Sequence, residues 1–97
     1  MKANNSYYVY ILSNDYNNLM YVGMTDNLRE RVQEHKNKFV DGFTQTYNID
    51  KLVYFENRDD ASSAIEREKE IKNWQDNKTK SLVESNNPEW KDLYLDL

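Results

Sequence analysis

Two short runs of tyrosine and β-branched residues near the start of the 97-residue chain limit its possible folds more than any other feature. Tyr7-Tyr8-Val9-Tyr10-Ile11-Leu12 is too short for a buried helix and suits a pleated surface, so it reads as a strand buried on both faces and central in its sheet. Ser13-Asn14-Asp15-Tyr16-Asn17-Asn18 supplies turn chemistry, and Leu19-Met20-Tyr21-Val22-Gly23 follows as a second strand that Gly23 would end. The two runs form an antiparallel hairpin.

The remaining elements attach to that hairpin. Thr25, Asp26 and Asn27 offer N-cap oxygens to a helix reaching about Lys38, with Leu28, Val32 and Phe39 on one face. After a loop through Gly42 and Tyr47, Leu52-Val53-Tyr54-Phe55 is a third strand, and Asp59-Asp60 caps a helix from Ala61 to about Trp74. Asn77 begins a shorter helix that Pro88 closes, and Trp90, Leu93, Tyr94 and Leu97 make a last amphipathic turn, lying on the core or on a partner. The expected architecture is one α/β domain over residues 1–97, a small three-stranded antiparallel-type sheet flanked by helices in the order β-β-α-β-α-α.

A chain of this size supports a single modest core. No stretch approaches the roughly 20 apolar residues of a membrane helix, and the start, Met1 to Ser6, is polar, so a soluble, cytoplasmic protein without a membrane partner is expected. Cysteine is absent, which removes disulfides and thiolate metal sites and leaves oxygen or imidazole ligands, the preference of hard cations such as magnesium. The 17 acidic residues outnumber the 13 basic ones, for a net charge of -4. Eleven of the 13 basic residues lie between Arg29 and Lys80, however, while the tail beyond Lys80 is acidic. Binding to phosphates should therefore be modest and quickly lost as salt rises.

The chemically informative residues break the apolar patterns. At about 100° per residue, His35 falls within the apolar arc of the first helix and Arg31 flanks it. On the second long helix Ala61, Ala64, Ile65 and Ile71 define the buried stripe, and Glu68 sits near its centre. A carboxylate there must bind a cation, take a proton, or stand at the mouth of a cleft. Lys72, four residues on in the favourable order, supplies an ordinary structural partner, and pattern alone weighs that pair evenly against a metal ligand. A lone histidine on an apolar face is more often a satisfied core residue, and Tyr10 and Tyr21 by themselves read as packed strand aromatics.

Taken together, these residues resemble the GIY-YIG nuclease superfamily, in particular its small single-domain members related to the nuclease module of the excision-repair incision subunit. Tyr8-Val9-Tyr10 stands where that family has Gly-Ile-Tyr, and Tyr21-Val22-Gly23, eleven residues on from tyrosine to tyrosine, where it has Tyr-Ile-Gly. Thr25, Asp26, Leu28, Arg31 and His35 follow its helix pattern, Glu66-Arg67-Glu68 resembles its metal-ligand segment, and Asn87-Pro88-Glu89-Trp90 resembles the ending of its small members. Tyr8 and Val9 depart from the motif, and Met24 stands where the repair nucleases carry a lysine, which removes a phosphate contact.

The resemblance implies a metal-dependent endonuclease acting on nucleic acid, DNA by preference, in a DNA-repair setting. Glu68 would hold magnesium or manganese, Arg31 would present its planar fork to the scissile phosphate, Tyr10 or Tyr21 would accept the proton of the attacking water, and His35 would share or relay it. Gly23, Thr25 and Lys72 are the expected substrate-binding positions, and Tyr47 is a candidate for stacking on a base. Two rival readings remain: a catalytically silent nucleic-acid-binding module, and a protein-interaction domain or homodimer built on the tail around Trp90 and Tyr94.

Overall fold

The computed structural model describes residues 6–38 and 42–97. Strands β1 (Tyr7–Ser13) and β2 (Met20–Thr25) form the hairpin, followed by helices α1 (Leu28–Lys36) and α2 (Gly42–Thr46), strand β3 (Lys51–Arg58), helices α3 (Ala61–Lys72) and α4 (Asp76–Asn86), and a 3-10 turn over Leu93–Asp96. The sheet order is β2-β1-β3, antiparallel throughout, so the first apolar run is indeed the central strand. Among the described residues the expected element order holds with one addition: the loop through Gly42 and Tyr47 contains the short α2. Phe39, read as part of the first helix's apolar face, lies outside the described residues.

Local chemistry explains the boundaries. The Asn14 side chain accepts from the backbone N–H groups of Asn18 and Leu19 at 3.1 and 3.2 Å, and Asn17 adopts a positive φ of 58°, closing the hairpin. Asn27 caps α1 by accepting from the Glu30 N–H, and Asp60 caps α3 by accepting from the Ser63 N–H at 2.7 Å. Lys38, at a φ of 61°, turns the chain out of helical geometry after α1. Gly23 does not end β2, which continues to Thr25.

Both faces of β1 are covered, since its alternate residues enter different cores. Tyr10 and Leu12 pack with Leu28, Val32, Ile49 and Leu52, whereas Val9 and Ile11 pack with Val53, Ala64, Ile71, Val83 and Trp90. A bulge between Ile11 and Leu12 offsets the pairing with β3, from Ile11 opposite Tyr54 to Leu12 opposite Leu52. The tail lies on the molecule's own core. Leu93, Tyr94 and Leu97 pack against the Tyr10 side, and Asp92 accepts from the Leu52 N–H and from Lys36 Nζ. Asn87 donates to the carbonyls of Val53 and Lys91, tying the end of α4 to β3.

One assignment of the helical faces is corrected. Ile65, read as part of the buried stripe of α3, is 40% exposed. The inward face runs through Ala64 and Ile71 with Glu68 between them, so the carboxylate remains on it and the outlier is the isoleucine.

Candidate active site

Four elements contribute the residues expected to carry chemistry. Tyr10 comes from the middle of β1, Tyr21 and Gly23 from β2, Arg31 and His35 from successive turns of α1, and Glu68 from α3. Tyr10 and Gly23 face one another across the β1–β2 ladder. A Cβ on Gly23 would lie 2.6 Å from the Tyr10 hydroxyl and 2.7 Å from its ring carbon, so the glycine is the space in which the phenol rests.

His35, buried at the inner face of α1, makes a long hydrogen bond of 3.5 Å between Nε2 and the Tyr10 hydroxyl. Its Nδ1 lies 3.3 Å from the Thr44 hydroxyl, carried by α2. The Tyr21 ring completes the group, 5.3 Å from the His35 ring and 6.3 Å from that of Tyr10. Burial pushes the Tyr10 phenol well above its ordinary pKa, and Tyr21 adds to the rise. The positive charge of Arg31 works against it, while the negative charge of Glu68 reinforces it.

Arg31 is partly exposed and pairs with Glu34 at 3.2 Å through Nε. Arg29, two residues earlier, points elsewhere: it donates to the carbonyl of Leu97 and lies 5.9 Å over the Tyr94 ring. Glu68 pairs with Lys72 at 3.2 Å, its own side chain mostly covered and that of the lysine half-exposed. The ordinary ion pair weighed from the sequence therefore exists. Thr25 is buried, and its hydroxyl accepts from the Asn27 N–H at 3.1 Å, so it shapes the entry to α1.

Glu68 offers a hard oxygen donor at the edge of the cluster, and an exposed lysine can swing aside from it at little cost. Among the described residues no three His, Cys, Asp or Glu side chains gather in one place. A magnesium or manganese ion here would accordingly take one protein carboxylate and keep much of its water, which suits a hard cation. A depression of about 260 Å³ beside Tyr21 and Lys72, also lined by Trp74 and Thr79, borders the cluster. A larger one of about 490 Å³, lined by Tyr8, Arg29, Phe55 and Leu97, contains none of it.

Two contributors escaped the sequence reading. Thr44 lies in a segment read as loop and gives no signal at all. Glu56 accepts from Tyr54 at 2.5 Å, from Arg58 at 2.8 Å and from Arg67 at 3.0 Å, which joins β3 to α3 one residue before Glu68. The alternation of Tyr54, Glu56 and Arg58 on one face of β3 was the available clue.

Comparison with known proteins places the chain in a family. Residues 6–81 match the GIY-YIG catalytic domain, and the chain belongs to that family, as a small protein of the GIY-YIG nuclease type. It is 36% identical to a UPF0213 protein of Haloquadratum walsbyi over 81 residues, covering 84% of this chain and 90% of the relative. A UPF0213 protein of Syntrophus aciditrophicus is 34% identical over 80 residues, covering 81% of this chain and 91% of that one. In fold it is similar to the solution structure of a UPF0213 protein from Bacillus halodurans, with a TM-score of 0.57 at 23% identity over 90% of this chain and 92% of that chain. Among the described residues no helix is long and apolar enough to cross a membrane.

Proposed function

We propose that this protein is a metal-dependent endonuclease that hydrolyses phosphodiester bonds in nucleic acid, with DNA as its principal substrate. One observation supports the proposal: the Tyr10 phenol meets His35 above Gly23 with the Tyr21 ring beside both, in a chain whose residues 6–81 match the GIY-YIG catalytic domain.

Hydrolysis requires a nucleophilic water, charge relief on the phosphoryl oxygens and stabilisation of the leaving oxygen. Magnesium or manganese, held by Glu68, supplies Lewis-acid charge relief when bound. Arg31 presents two parallel N–H donors to the phosphate, which a lysine cannot reproduce. Tyr21 is the less enclosed phenol and the one water can reach, so it takes the proton of the attacking water. A phenol accepts that proton only as its anion. Tyr10 stays neutral in its buried place, its hydroxyl hydrogen-bonded to His35 Nε2, while His35 Nδ1 lies against the Thr44 hydroxyl.

The Glu68–Lys72 pair favours a second reading, a silent binding module in which the carboxylate is neutralised within its own helix. Incubating the protein with single-stranded, duplex and branched DNA and RNA, with and without magnesium or manganese, separates the two. Magnesium-dependent products that disappear in Glu68→Gln support the nuclease, and binding without any product under these conditions supports the silent module.

A further inference from the structure

Strand β2 stands at the edge of the sheet, and beside it lies the depression of about 260 Å³ that borders the tyrosine cluster. Met20, Tyr21 and Val22 all line it, although alternate residues of a strand face opposite ways, so it runs along the free edge of β2 rather than over either face. Its far wall comes from the end of α3 and the start of α4, with Lys72, Trp74, Asp76 and Thr79. Two of these walls belong to the cluster as well: the Tyr21 ring lies 5.3 Å from that of His35, and Lys72 pairs with Glu68 at 3.2 Å. Trp74 is a fixed wall, because the Arg67 guanidinium at 5.2 Å and Lys78 Nζ at 4.5 Å from its ring centre already occupy the indole. Thr79 is different. It is only 5% exposed and its N–H donates to the Gln75 carbonyl at 3.3 Å, yet among the described residues its hydroxyl has no hydrogen-bond partner. No side-chain polar atom of the described residues is both sealed off and unpartnered, so this hydroxyl opens onto the depression. Folding gives no reason to keep it there, since a valine of the same shape would fill the position.

We infer that this recess receives an unpaired nucleobase of the bound strand, next to the phosphate presented to Tyr21 and Glu68. The inference rests on the nuclease reading and adds a substrate class to it: strands with a base free of its partner, at bulges, branches or overhangs. Pockets for drug-sized ligands run from roughly 300 to 1,000 Å³, so this recess has room for a single ring system and little more. Met20 and Val22 give it apolar walls against which a base lies, and the Thr79 hydroxyl, both donor and acceptor, meets the polar edge of any base. A phosphate is the poorer occupant, because the Asp76 carboxylate on the same wall repels it. A base within a duplex reaches such a recess only after unpairing and unstacking, a cost that an unpaired base largely avoids.

The test uses the full chain in EDTA, where metal-dependent cleavage cannot run, and fluorescence anisotropy with two labelled duplexes: one carrying a single unpaired base in a bulge, the other an abasic residue at the same position. The parent chain should bind the base-containing probe on the order of tenfold more tightly. Thr79→Val should remove most of that preference, and Thr79→Ser, which keeps the hydroxyl, should retain it. Val22→Phe, which fills the recess, should abolish it, and binding of the abasic probe should stay unchanged in all three variants. If Val22→Phe fails to fold, the contrast between Thr79→Val and Thr79→Ser decides alone. Equal affinity of the parent for the two probes, equal weakening of both in the variants, or a preference that survives Thr79→Val and Val22→Phe overturns the inference. The same probes in magnesium test the nuclease reading separately: product without any base preference leaves that reading intact and overturns the recess alone. A base preference without product keeps the recess and transfers it to the silent binding module. Absence of both binding and product with the parent chain defeats the nuclease reading, and the recess with it.

Discussion

The ring of Tyr10 occupies the space that a side chain on Gly23 would need, its hydroxyl 2.6 Å from the missing Cβ position. The conformational freedom of glycine is not at issue, because Gly23 sits within regular β2 and has no positive φ. Its contribution is volume. Gly23→Ala should cost about 1–3 kcal/mol through overpacking and should displace the Tyr10 hydroxyl from His35. Chemical denaturation gives the first quantity, and a perturbed His35 ring resonance gives the second. An alanine variant as stable as the parent would mean that Tyr10 has room to move.

Glu68→Gln should abolish magnesium-dependent cleavage with little change in unfolding temperature. The ion pair it breaks is half-exposed at the lysine end and is worth well under about 1 kcal/mol by the usual measure of such pairs. A large stability loss with cleavage retained would return Glu68 to a structural role.

Arg31→Lys should lower turnover on the order of 10²-fold or more, by loss of a charge-assisted contact made in the transition state. Arg29→Lys is the matched control, because Arg29 is engaged with Leu97 and Tyr94 and lies away from the Tyr10 phenol. Comparable losses in kcat for the two variants would deny Arg31 its special position.

The cluster on β3 makes stability pH-dependent at both ends. Burial raises the Glu56 carboxyl, but hydrogen bonds from Tyr54, Arg67 and Arg58 outweigh it and hold the group below its ordinary value. Its stabilisation is therefore complete above the ordinary carboxylate pKa and is lost as pH falls through the lower folded-state value. Tyr54 is pushed up to about 12 by burial and by the bond to Glu56. Its contribution is complete below the unfolded phenol pKa, near 10, and is lost as pH climbs toward that folded-state value. Unfolding midpoints measured from pH 2 to pH 12 should fall at both extremes, and Glu56→Gln should flatten the acid limb. An unchanged acid limb in that variant would place the sensitivity elsewhere.

Binding should be weak and governed by backbone and shape, since no element resembles a base-reading module and Met24 supplies no charge next to Gly23. Fluorescence anisotropy with Glu68→Gln should give duplex affinities no tighter than about 10⁻⁴ to 10⁻⁶ M at physiological salt, insensitive to sequence and weakening as salt rises. A nanomolar preference for one linear sequence would require base-edge contacts and would contradict this expectation.

The order of elements, the central position of β1 and the inward placement of His35 and Glu68 were legible from the chain alone. The central strand follows from the continuous β-branched and aromatic run Tyr7–Leu12, and the inward His35 and Glu68 from the 3.6-residue helical period, with caps such as Asn27 and Asp60 marking the helix starts. Periodicity states which face of its own element a residue occupies, but not what stands opposite. Only the tertiary structure decided that Ile65 faces solvent and that Gly23 makes room for a ring. It likewise decided that Thr44 meets His35, that Arg29 is taken by the tail while Arg31 acts on Tyr10, and that Glu56 joins β3 to α3. These are contacts between residues distant in the chain, set by how helices dock on the sheet, and no local spacing encodes the docking angle or the partner it delivers.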